Sequence, residues 1–391
     1  MAGNSRCTPR IIALIAVAAI AFYIYGAVYH FRPFPSHRTE TLYASAPLYN
    51  RTPPINSSNA TTDIPRILVW TPFFGSRLLG LSAQDEVEIP ECSRRCHVTY
   101  NRDRLSSSDA VVFHVRDLRL TDMPLRRAPT HKWVFWSMES PPHSHIEANN
   151  MKSMFNWTMT YRADSDIPLP YGVVKIREND TGVTLYNKTL WQQKKKTAVW
   201  VVSNCATESR REDFVKELQR YIDIDVYGRC GTHKCPVANN DACLREFESE
   251  YYFWLALENS LCRDYVTEKL FSALQHSIVP VALGAANYSA ISAPHSVIDV
   301  SSFEGPKELA DYMQRVKSDF QLYKGYLEWK DRYDVVRWSP TFCSLCEKLH
   351  SVHFRTASVY EDLWSWWFKD SGCYSWNDEH WRTQRNKRRN R

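Results

Sequence analysis

Glycine is scarce in this sequence, with only 12 among 391 residues. None of them belongs to a Gly-X4-Gly-Lys pattern, in which a glycine-rich loop holds phosphate groups. This absence argues against a sulfotransferase-like enzyme, which would need such a loop. A strong excess of one charge is also lacking, because the formal net charge is +6. The basic C-terminal tail could in principle contact nucleic acid or a membrane, but a solvated, disordered end is favoured, so nucleic acid is not expected as a partner.

A long uncharged run stands near the N-terminus. Residues 11–29 carry no charge, and Arg6 and Arg10 precede them. A helix of roughly 17–25 apolar residues spans a bilayer, whereas a cleaved signal peptide usually has an apolar core of about 7–15 residues. Tyrosine and phenylalanine crowd the far end of the run, which suits a membrane interface. We therefore predict a cytosolic tail at 1–10 and an uncleaved signal anchor at 11–29, with the remaining chain in the secretory lumen.

The segment after the predicted anchor has the composition of a stem. Residues 30–65 are rich in proline, serine, threonine and asparagine and show no periodicity. Sequons of the Asn-X-Ser/Thr type, which accept N-linked glycans, occur in the stem and beyond it, at Asn50, Asn56, Asn59, Asn156, Asn179, Asn187 and Asn287. Their presence agrees with a lumenal location.

The cysteine count points to the same compartment. Of 11 cysteines only Cys7 precedes the anchor, so an even ten remain on the lumenal side, where disulfides form. The candidates for disulfides are Cys92, Cys96, Cys230, Cys235, Cys343 and Cys346. The spacing of Cys343 and Cys346 is also typical of zinc ligands, and Cys92 and Cys96 would complete such a site. The oxidising compartment favours disulfides, and their pairing stays open.

The folded part shows the alternation of an α/β protein. Short apolar runs, typical of buried parallel strands, occur at 67–70, 110–113, 133–136, 199–202, 253–257 and 278–283, and a further strand is predicted to close at 225–227. Amphipathic segments separate them in the second half, and residues 174–196 are polar. The pattern predicts two consecutive Rossmann-like, doubly wound domains. We place them at 66–190 and 191–370, followed by a basic C-terminal tail at 371–391.

Charged residues interrupt the apolar second half at 258–269, between two predicted strands. A helix is predicted to begin after Asp264, with Asp264 as its N-cap. Ligands of open α/β sheets bind where strands end and helices begin, and helix N-termini favour anions. Lys269 would neutralise a phosphate there, and Glu258 or Glu268 would accept hydrogen bonds from sugar hydroxyls. An ion-paired helix start is the structural alternative.

The triplet Asp223-Ile-Asp225 has the spacing of a metal-binding Asp-X-Asp loop. It lies in an alternating run typical of a strand, so we interpret it as structural. A metal-dependent reaction is accordingly not predicted from it.

The residues now described resemble a known family. Phe253-Trp-Leu-Ala-Leu-Glu-Asn-Ser, Asp264-Tyr-Val-Thr-Glu-Lys269 and Val279-Pro-Val-Ala-Leu-Gly284 together resemble the donor-binding motif of the α1,3-fucosyltransferases. Further blocks in the family's order are Trp136-Ser-Met-Glu-Ser-Pro141, Tyr161-Arg-Ala-Asp-Ser-Asp166, Pro170-Tyr-Gly172, Val201-Val-Ser-Asn204 and Cys343-Ser-Leu-Cys346. The resemblance covers residues 66–367.

The resemblance implies an inverting transferase with two Rossmann-like domains of the GT-B type. It implies GDP-fucose as donor and a single-pass type II anchor in the Golgi membrane. No metal is then strictly required, although Mn²⁺ stimulation is compatible with it. By motif position, Glu139 would be the general base, Arg211 and Lys269 would hold the diphosphate, Asn259 and Tyr265 the nucleotide, and Glu268 the fucose. Arg210 competes with Arg211 for its role.

The cysteine-containing segments bear on the acceptor. Cys205, Cys262 and the segments Gly228-Arg-Cys-Gly231 and Lys234-Cys-Pro236 look like those of core-type enzymes. Such enzymes add fucose to the innermost, Asn-linked GlcNAc of the N-glycans of glycoproteins. The alternatives are a Lewis-type enzyme acting on outer Gal-GlcNAc antennae and a catalytically silent glycan-binding relative.

Overall fold

The structure is a computed structural model. It describes residues 64–89, 92–146, 151–178, 186–235, 240–337, 342–351, 359–377, 382–383 and 385–386. The predicted cytosolic tail, the signal anchor and nearly all of the stem lie outside these ranges. Within them, no helix combines the length and the apolar character needed to cross a bilayer.

The first half of the chain forms a seven-stranded sheet. Its strands are β1 (Arg66–Val69), β2 (Glu86–Glu88), β3 (His97–Thr99), β4 (Ala110–His114), β5 (Lys132–Ser137), β6 (Trp157–Thr160) and β7 (Ile167–Pro168). Their order across the sheet is β2-β3-β1-β4-β5-β6-β7. Every neighbouring pair is parallel except β2 with β3.

A short antiparallel pair and a second sheet follow. Gly172–Ile176 (β8) pairs with the late strand Tyr333–Arg337 (β14). The second sheet contains β9 (Lys196–Val201), β10 (Ile224–Tyr227), β11 (Tyr251–Leu257), β12 (Val279–Leu283) and β13 (Ile298–Asp299). All its strands are parallel, in the order β10-β9-β11-β12-β13. The predicted α/β fold with parallel sheets is thus confirmed.

The described helices belong mainly to the second half. The α-helices are α1 (Lys188–Gln193), α2 (Arg211–Leu218), α3 (Asn240–Glu250), α4 (Glu268–Gln275), α5 (Tyr288–Ile291), α6 (Pro306–Ser318), α7 (Phe320–Gly325) and α8 (Cys343–Leu349). A π-helix covers Ser365–Lys369. Short 3-10 helices lie at 78–80, 102–107, 115–117, 120–122, 141–143, 300–302 and 328–331.

Both faces of each sheet are covered by other parts of the chain. Side chains alternate along a strand, so Ile67 and Val69 enter one apolar cluster and Leu68 enters another. Likewise Phe253 and Trp254 of β11 enter the two clusters on opposite faces of the second sheet. Burial on both faces explains why these strands are continuous apolar runs.

The late part of the chain returns to the first sheet. Leu345 and Leu349 of α8 pack in one of its clusters, and Leu363 and Trp367 pack in the other. These residues fall within the predicted second domain, 191–370, yet they cover the first sheet. In this region, segments late in the sequence therefore pack against the sheet that the first half of the chain forms.

Pro280 is tolerated within β12 for a local reason. It pairs in register with Trp254 of β11, but the register with β13 begins only at Val281. The proline therefore precedes the part of β12 that has a neighbour on both sides, where a missing N–H would cost most.

Candidate active site

The carboxyl edge of the second sheet carries a buried glutamate. Glu258 directly follows β11 and is 1% exposed. Its Oε1 accepts hydrogen bonds from the Thr267 amide at 2.8 Å and from the Thr267 hydroxyl at 3.0 Å. Its Oε2 lies 3.2 Å from Lys269 Nζ. Burial raises the pKa of the Glu258 carboxyl, against the charge of Lys269. Glu258 thus joins the strand end to the start of α4.

The prediction that Asp264 is the N-cap of this helix is wrong. The helix begins at Glu268 and its N-cap is Thr267, whose hydroxyl accepts from the Lys269 amide. Asp264 lies outside the helix, with a φ of 61°, and accepts from the Ala163 amide. The contact with Glu258 holds Thr267 in the cap position, and local sequence could not show that contact.

Lys269 lies at the helix start, as predicted. Its ammonium donates to the Thr267 hydroxyl at 2.8 Å and pairs with Glu258 and, at 3.4 Å, with Glu268. Burial lowers the pKa of Lys269, but the two carboxylates outweigh burial and hold it above its ordinary value. The Glu268 side chain is half exposed. Lys269 therefore stays charged, in an ion-paired cluster at the N-terminal end of a helix.

Arg211 occupies the point where the strand order reverses. The second sheet has the doubly wound order 2-1-3-4-5, in which ligands bind between the first and third strands. These strands are β9 and β11 here. Arg211 begins α2 after β9, and its Nη1 donates to the Leu257 carbonyl at the end of β11 at 2.7 Å. Its Nη2 donates to the Asn204 carbonyl at 3.1 Å. Its neighbour Arg210 instead pairs with Asp213 and is exposed.

Glu139 comes from the first sheet, just after β5. It is half-buried, and burial raises the pKa of its carboxyl above the ordinary value. The charges of Arg116, His143 and Lys269 oppose the rise, and that of Glu268 adds to it. Glu139 and the start of α4 therefore share one electrostatic environment, although about 130 residues separate them.

Two serines and a tyrosine support this region, and sequence reasoning missed them. Ser140 Oγ donates to Ser260 Oγ at 2.8 Å. The Tyr171 hydroxyl donates to the carbonyl of Met138, next to Glu139. Tyr171 belongs to the Pro-Tyr-Gly block quoted above, which was the available clue. The two serines are not marked by any spacing.

Asn259 and Tyr265, the two residues predicted to hold the nucleotide, differ in their burial and in their contacts. Asn259 is half-buried, and its Oδ1 is buried without a hydrogen-bond partner. A buried acceptor without a partner is uncommon in a folded protein. Tyr265 is 2% exposed and packs against Tyr161, with a ring separation of 4.8 Å. The Tyr265 ring therefore supports the site by packing in the interior of the protein.

All ten cysteines that follow Cys7 are paired. The disulfides are Cys92–Cys343, Cys96–Cys346, Cys205–Cys230, Cys235–Cys243 and Cys262–Cys373. The preference for disulfides over zinc is thus confirmed. Within the described ranges, Cys96, Cys346 and His350 have the spacing of metal ligands. Both thiols are consumed by the disulfide, so they do not fit a metal site.

The Asp-X-Asp triplets are structural. Asp225 accepts from the Tyr251 hydroxyl at 2.5 Å and pairs with Lys196. A second triplet of the same spacing, Asp164-Ser-Asp166, is also engaged by protein groups. Asp164 binds the Arg162 guanidinium, and Asp166 accepts from the Thr158 amide.

The described sequons differ in accessibility. Asn187 and Asn287 are exposed. Asn156 is 7% exposed, and its Oδ1 accepts from the Trp133 amide at 2.8 Å and from Arg127. A glycan on Asn156 would not fit this packing, so we withdraw it as a candidate. Asn50, Asn56, Asn59 and Asn179 lie outside the described residues.

Comparisons with known proteins agree with this architecture. The family described as "Fucosyltransferase, N-terminal" matches residues 62–172. The family described as "Glycosyltransferase family 10 (fucosyltransferase) C-term" matches residues 191–366.

Several relatives are fucosyltransferases. Alpha-(1,3)-fucosyltransferase C of Drosophila melanogaster is 37% identical and covers 77% of this chain and 77% of its own length. Glycoprotein 3-alpha-L-fucosyltransferase A of the same organism is 35% identical, over 71% of this chain and 55% of its own. The Bos taurus 3-galactosyl-N-acetylglucosaminide 4-alpha-L-fucosyltransferase FUT3 is 37% identical, over 73% and 77%. A crystal structure of an α1,3-fucosyltransferase with GDP-fucose covers 78% of this chain and 95% of its own at 17% identity, with a TM-score of 0.49.

The chain is therefore a glycosyltransferase. It belongs to glycosyltransferase family 10, the fucosyltransferases.

Proposed function

We propose that the protein transfers fucose from GDP-fucose, in α1,3 linkage and with inversion, to the innermost Asn-linked GlcNAc of N-glycans. The observation that carries the proposal is the buried hydrogen bond from Ser140 to Ser260, which joins the residue after Glu139 to the loop that precedes α4. Burial raises the pKa of the Glu139 carboxyl, and the charge of Lys269 at the start of α4 opposes the rise. In a displacement reaction, such a base would act on the acceptor hydroxyl and such a cation would stabilise the leaving group.

The base would act on the acceptor. Inversion in one step needs a group that takes the acceptor hydroxyl proton on the face opposite the leaving group. A raised pKa makes the Glu139 carboxylate a better proton acceptor than an ordinary glutamate once it is ionised.

The cations would act on the donor. GDP departs with developing negative charge, which Lys269, Arg211 and the N-terminus of α4 would stabilise. Fixed charges of this kind supply the stabilisation without a metal, and any Mn²⁺ effect would then be stimulation. Glu268, whose side chain is half exposed, would accept a hydrogen bond from a hydroxyl of the fucose. Asn259 offers its unpaired Oδ1 to a donor group of the nucleotide.

The acceptor assignment rests on the cysteine pattern. The segments around Cys205 and Cys230 resemble core-type enzymes, and these two residues form a disulfide beside Asn204 and Arg211. One relative is named for glycoprotein acceptors. Another is named for 3-galactosyl-N-acetylglucosaminide. Transfer to outer antennae is therefore the second candidate.

We further propose a Golgi location, with residues 11–29 as the anchor and the catalytic part in the lumen. Five disulfides and two exposed sequons agree with an oxidising, glycosylating compartment.

The test uses the full chain in detergent with GDP-fucose and two acceptors. One is an N-glycopeptide with a trimannosyl core carrying terminal GlcNAc, and the other is free N-acetyllactosamine. Mass spectrometry locates the added fucose. Fucose on the innermost GlcNAc supports the proposal, and fucose only on lactosamine overturns the acceptor. Binding of GDP-fucose without transfer would indicate a silent relative.

The role of Glu139 is tested in the same assay. Glu139→Gln should retain GDP binding in calorimetry and lose about 10²–10⁴-fold in kcat, the usual contribution of a general base. The matched control is Glu217→Gln on α2, whose carboxylate pairs only with Arg220 in the described contacts. Full activity of Glu139→Gln would rule out Glu139 as the base.

A further inference from the structure

Three hydrogen bonds orient the buried Arg211 side chain, and one of them comes from a loop that has little support from the core. Its Nε donates to Glu212 at 3.3 Å, its Nη1 donates to the Leu257 carbonyl at the end of β11, and its Nη2 donates to the carbonyl of Asn204. Asn204 belongs to the loop at 203–206, whose side chains are all exposed. Apolar packing therefore does not hold the Asn204 carbonyl in place.

A second loop contacts the first loop and the residue before it through hydrogen bonds to backbone carbonyls. Residues 228–231 follow β10 and lie directly against the end of β9 and the residues after it. The Cys230 amide donates to the Val202 carbonyl at 3.2 Å, and Arg229 Nε donates to the Ser203 carbonyl at 2.8 Å. The disulfide between Cys205 and Cys230 closes this contact covalently.

The close approach of the two loops requires glycine. Gly228 has a φ of 92°, and a Cβ at this position would lie 2.5 Å from the Val202 carbonyl oxygen. A Cβ on Gly231 would lie 2.0 Å from the carbonyl oxygen of Val226 in β10. Gly228 thus lets the two segments approach each other, and Gly231 lets the loop at 228–231 turn back against its own strand.

We propose that the Cys205–Cys230 disulfide is a positioning element of the donor site. It holds the loop at 203–206 so that the Asn204 carbonyl orients the Arg211 guanidinium toward the diphosphate of the donor. This inference rests on the proposed donor role of Arg211. It assigns the disulfide a role in donor affinity that is distinct from general stabilisation.

The test compares two double variants of the full chain in detergent. Cys205→Ala/Cys230→Ala removes the proposed positioning element. Cys235→Ala/Cys243→Ala removes another short-range disulfide of the same half. The first should weaken GDP binding and raise the KM for GDP-fucose about 10-fold, as expected when one charge-assisted hydrogen bond is misplaced. The acceptor KM of this variant should change by no more than about twofold. In the control variant, GDP binding and the KM for GDP-fucose should likewise change by no more than about twofold.

A double-mutant cycle separates positioning from stability. In an Arg211→Ala background, removal of Cys205 and Cys230 should not weaken GDP binding further, because the group that they position is gone. Additive losses, or an unchanged donor KM in the folded double variant, would overturn the inference. Normal GDP binding by Arg211→Ala alone would instead refute the donor role of Arg211, which keeps the two failures distinct.

A milder variant covers the case in which the double variant does not fold. Arg229→Ala removes the bond to the Ser203 carbonyl and leaves every disulfide intact. It should raise the donor KM and leave the acceptor KM unchanged. An unaltered donor KM in this variant would also contradict the inference.

Discussion

The Ser140 hydroxyl donates a hydrogen bond to the Ser260 hydroxyl at 2.8 Å, and both side chains are buried. Ser140 directly follows Glu139 at the edge of the first sheet. Ser260 directly follows Glu258 and Asn259 at the edge of the second. This bond therefore connects the loop of the proposed base with the loop of the proposed donor site.

The first prediction concerns this bond. Ser140→Ala should lower the free energy of unfolding by about 1–3 kcal/mol, because it leaves the Ser260 hydroxyl buried without a partner. It should also lower kcat more than it weakens GDP binding, since the Glu139 loop loses its connection. Urea denaturation and steady-state kinetics measure the two effects. The double variant Ser140→Ala/Ser260→Ala should recover part of the stability, and no recovery would count against direct coupling.

The second prediction concerns pH. As the proposed base, Glu139 would act only when it is ionised, so kcat/KM should rise with pH through its pKa, which burial places above the ordinary glutamate value. Because the charge of Arg116 lowers this pKa, Arg116→Gln should move the rising limb to higher pH. Arg220→Gln, at an exposed ion pair on α2, serves as the control and should not move it. A limb that stays in place in Arg116→Gln would contradict the assignment.

The third prediction separates two roles of Lys269. Lys269→Met should weaken GDP binding roughly 10- to 100-fold by removing a charged hydrogen-bond donor. It should also destabilise the protein by about 1–3 kcal/mol, less than for a fully buried pair, because Lys269 is a quarter exposed. Calorimetry and urea denaturation measure the two losses.

The matched variant for this experiment is Glu258→Gln/Lys269→Met. It removes both charges of the pair, so it should recover stability without recovering GDP binding. If Lys269→Met binds GDP as tightly as the unaltered protein, the lysine serves only as part of an ion-paired helix start.

The fourth prediction concerns glycosylation. Asn287 is exposed and should carry a glycan in protein produced in secretory cells. Asn156 should carry none, because its side chain is buried and bonded to the Trp133 amide. Glycopeptide mass spectrometry distinguishes the sites, and Asn287→Gln should remove one glycan mass. A glycan found on Asn156 would show that this region packs differently in the cell.

Much of the site was predictable from local sequence. The apolar runs before Glu258 and after Lys269 identified two parallel strands, and the charges between them identified a strand end and a helix start. These features depend on residues close together in the chain, where periodicity and composition decide the structure. The even number of cysteines after Cys7 predicted disulfides because thiols pair in an oxidising compartment.

Only the tertiary structure decided the remaining features, because each of them depends on residues far apart in sequence. Thr267 rather than Asp264 caps α4 because Glu258 binds it. Cys96 pairs with Cys346, 250 residues away, because α8 returns to the first sheet. Glu139 lies within the field of Lys269 because two separate sheets present their carboxyl edges to one region. Local patterns select helices and strands, whereas packing between distant segments decides which charged groups meet.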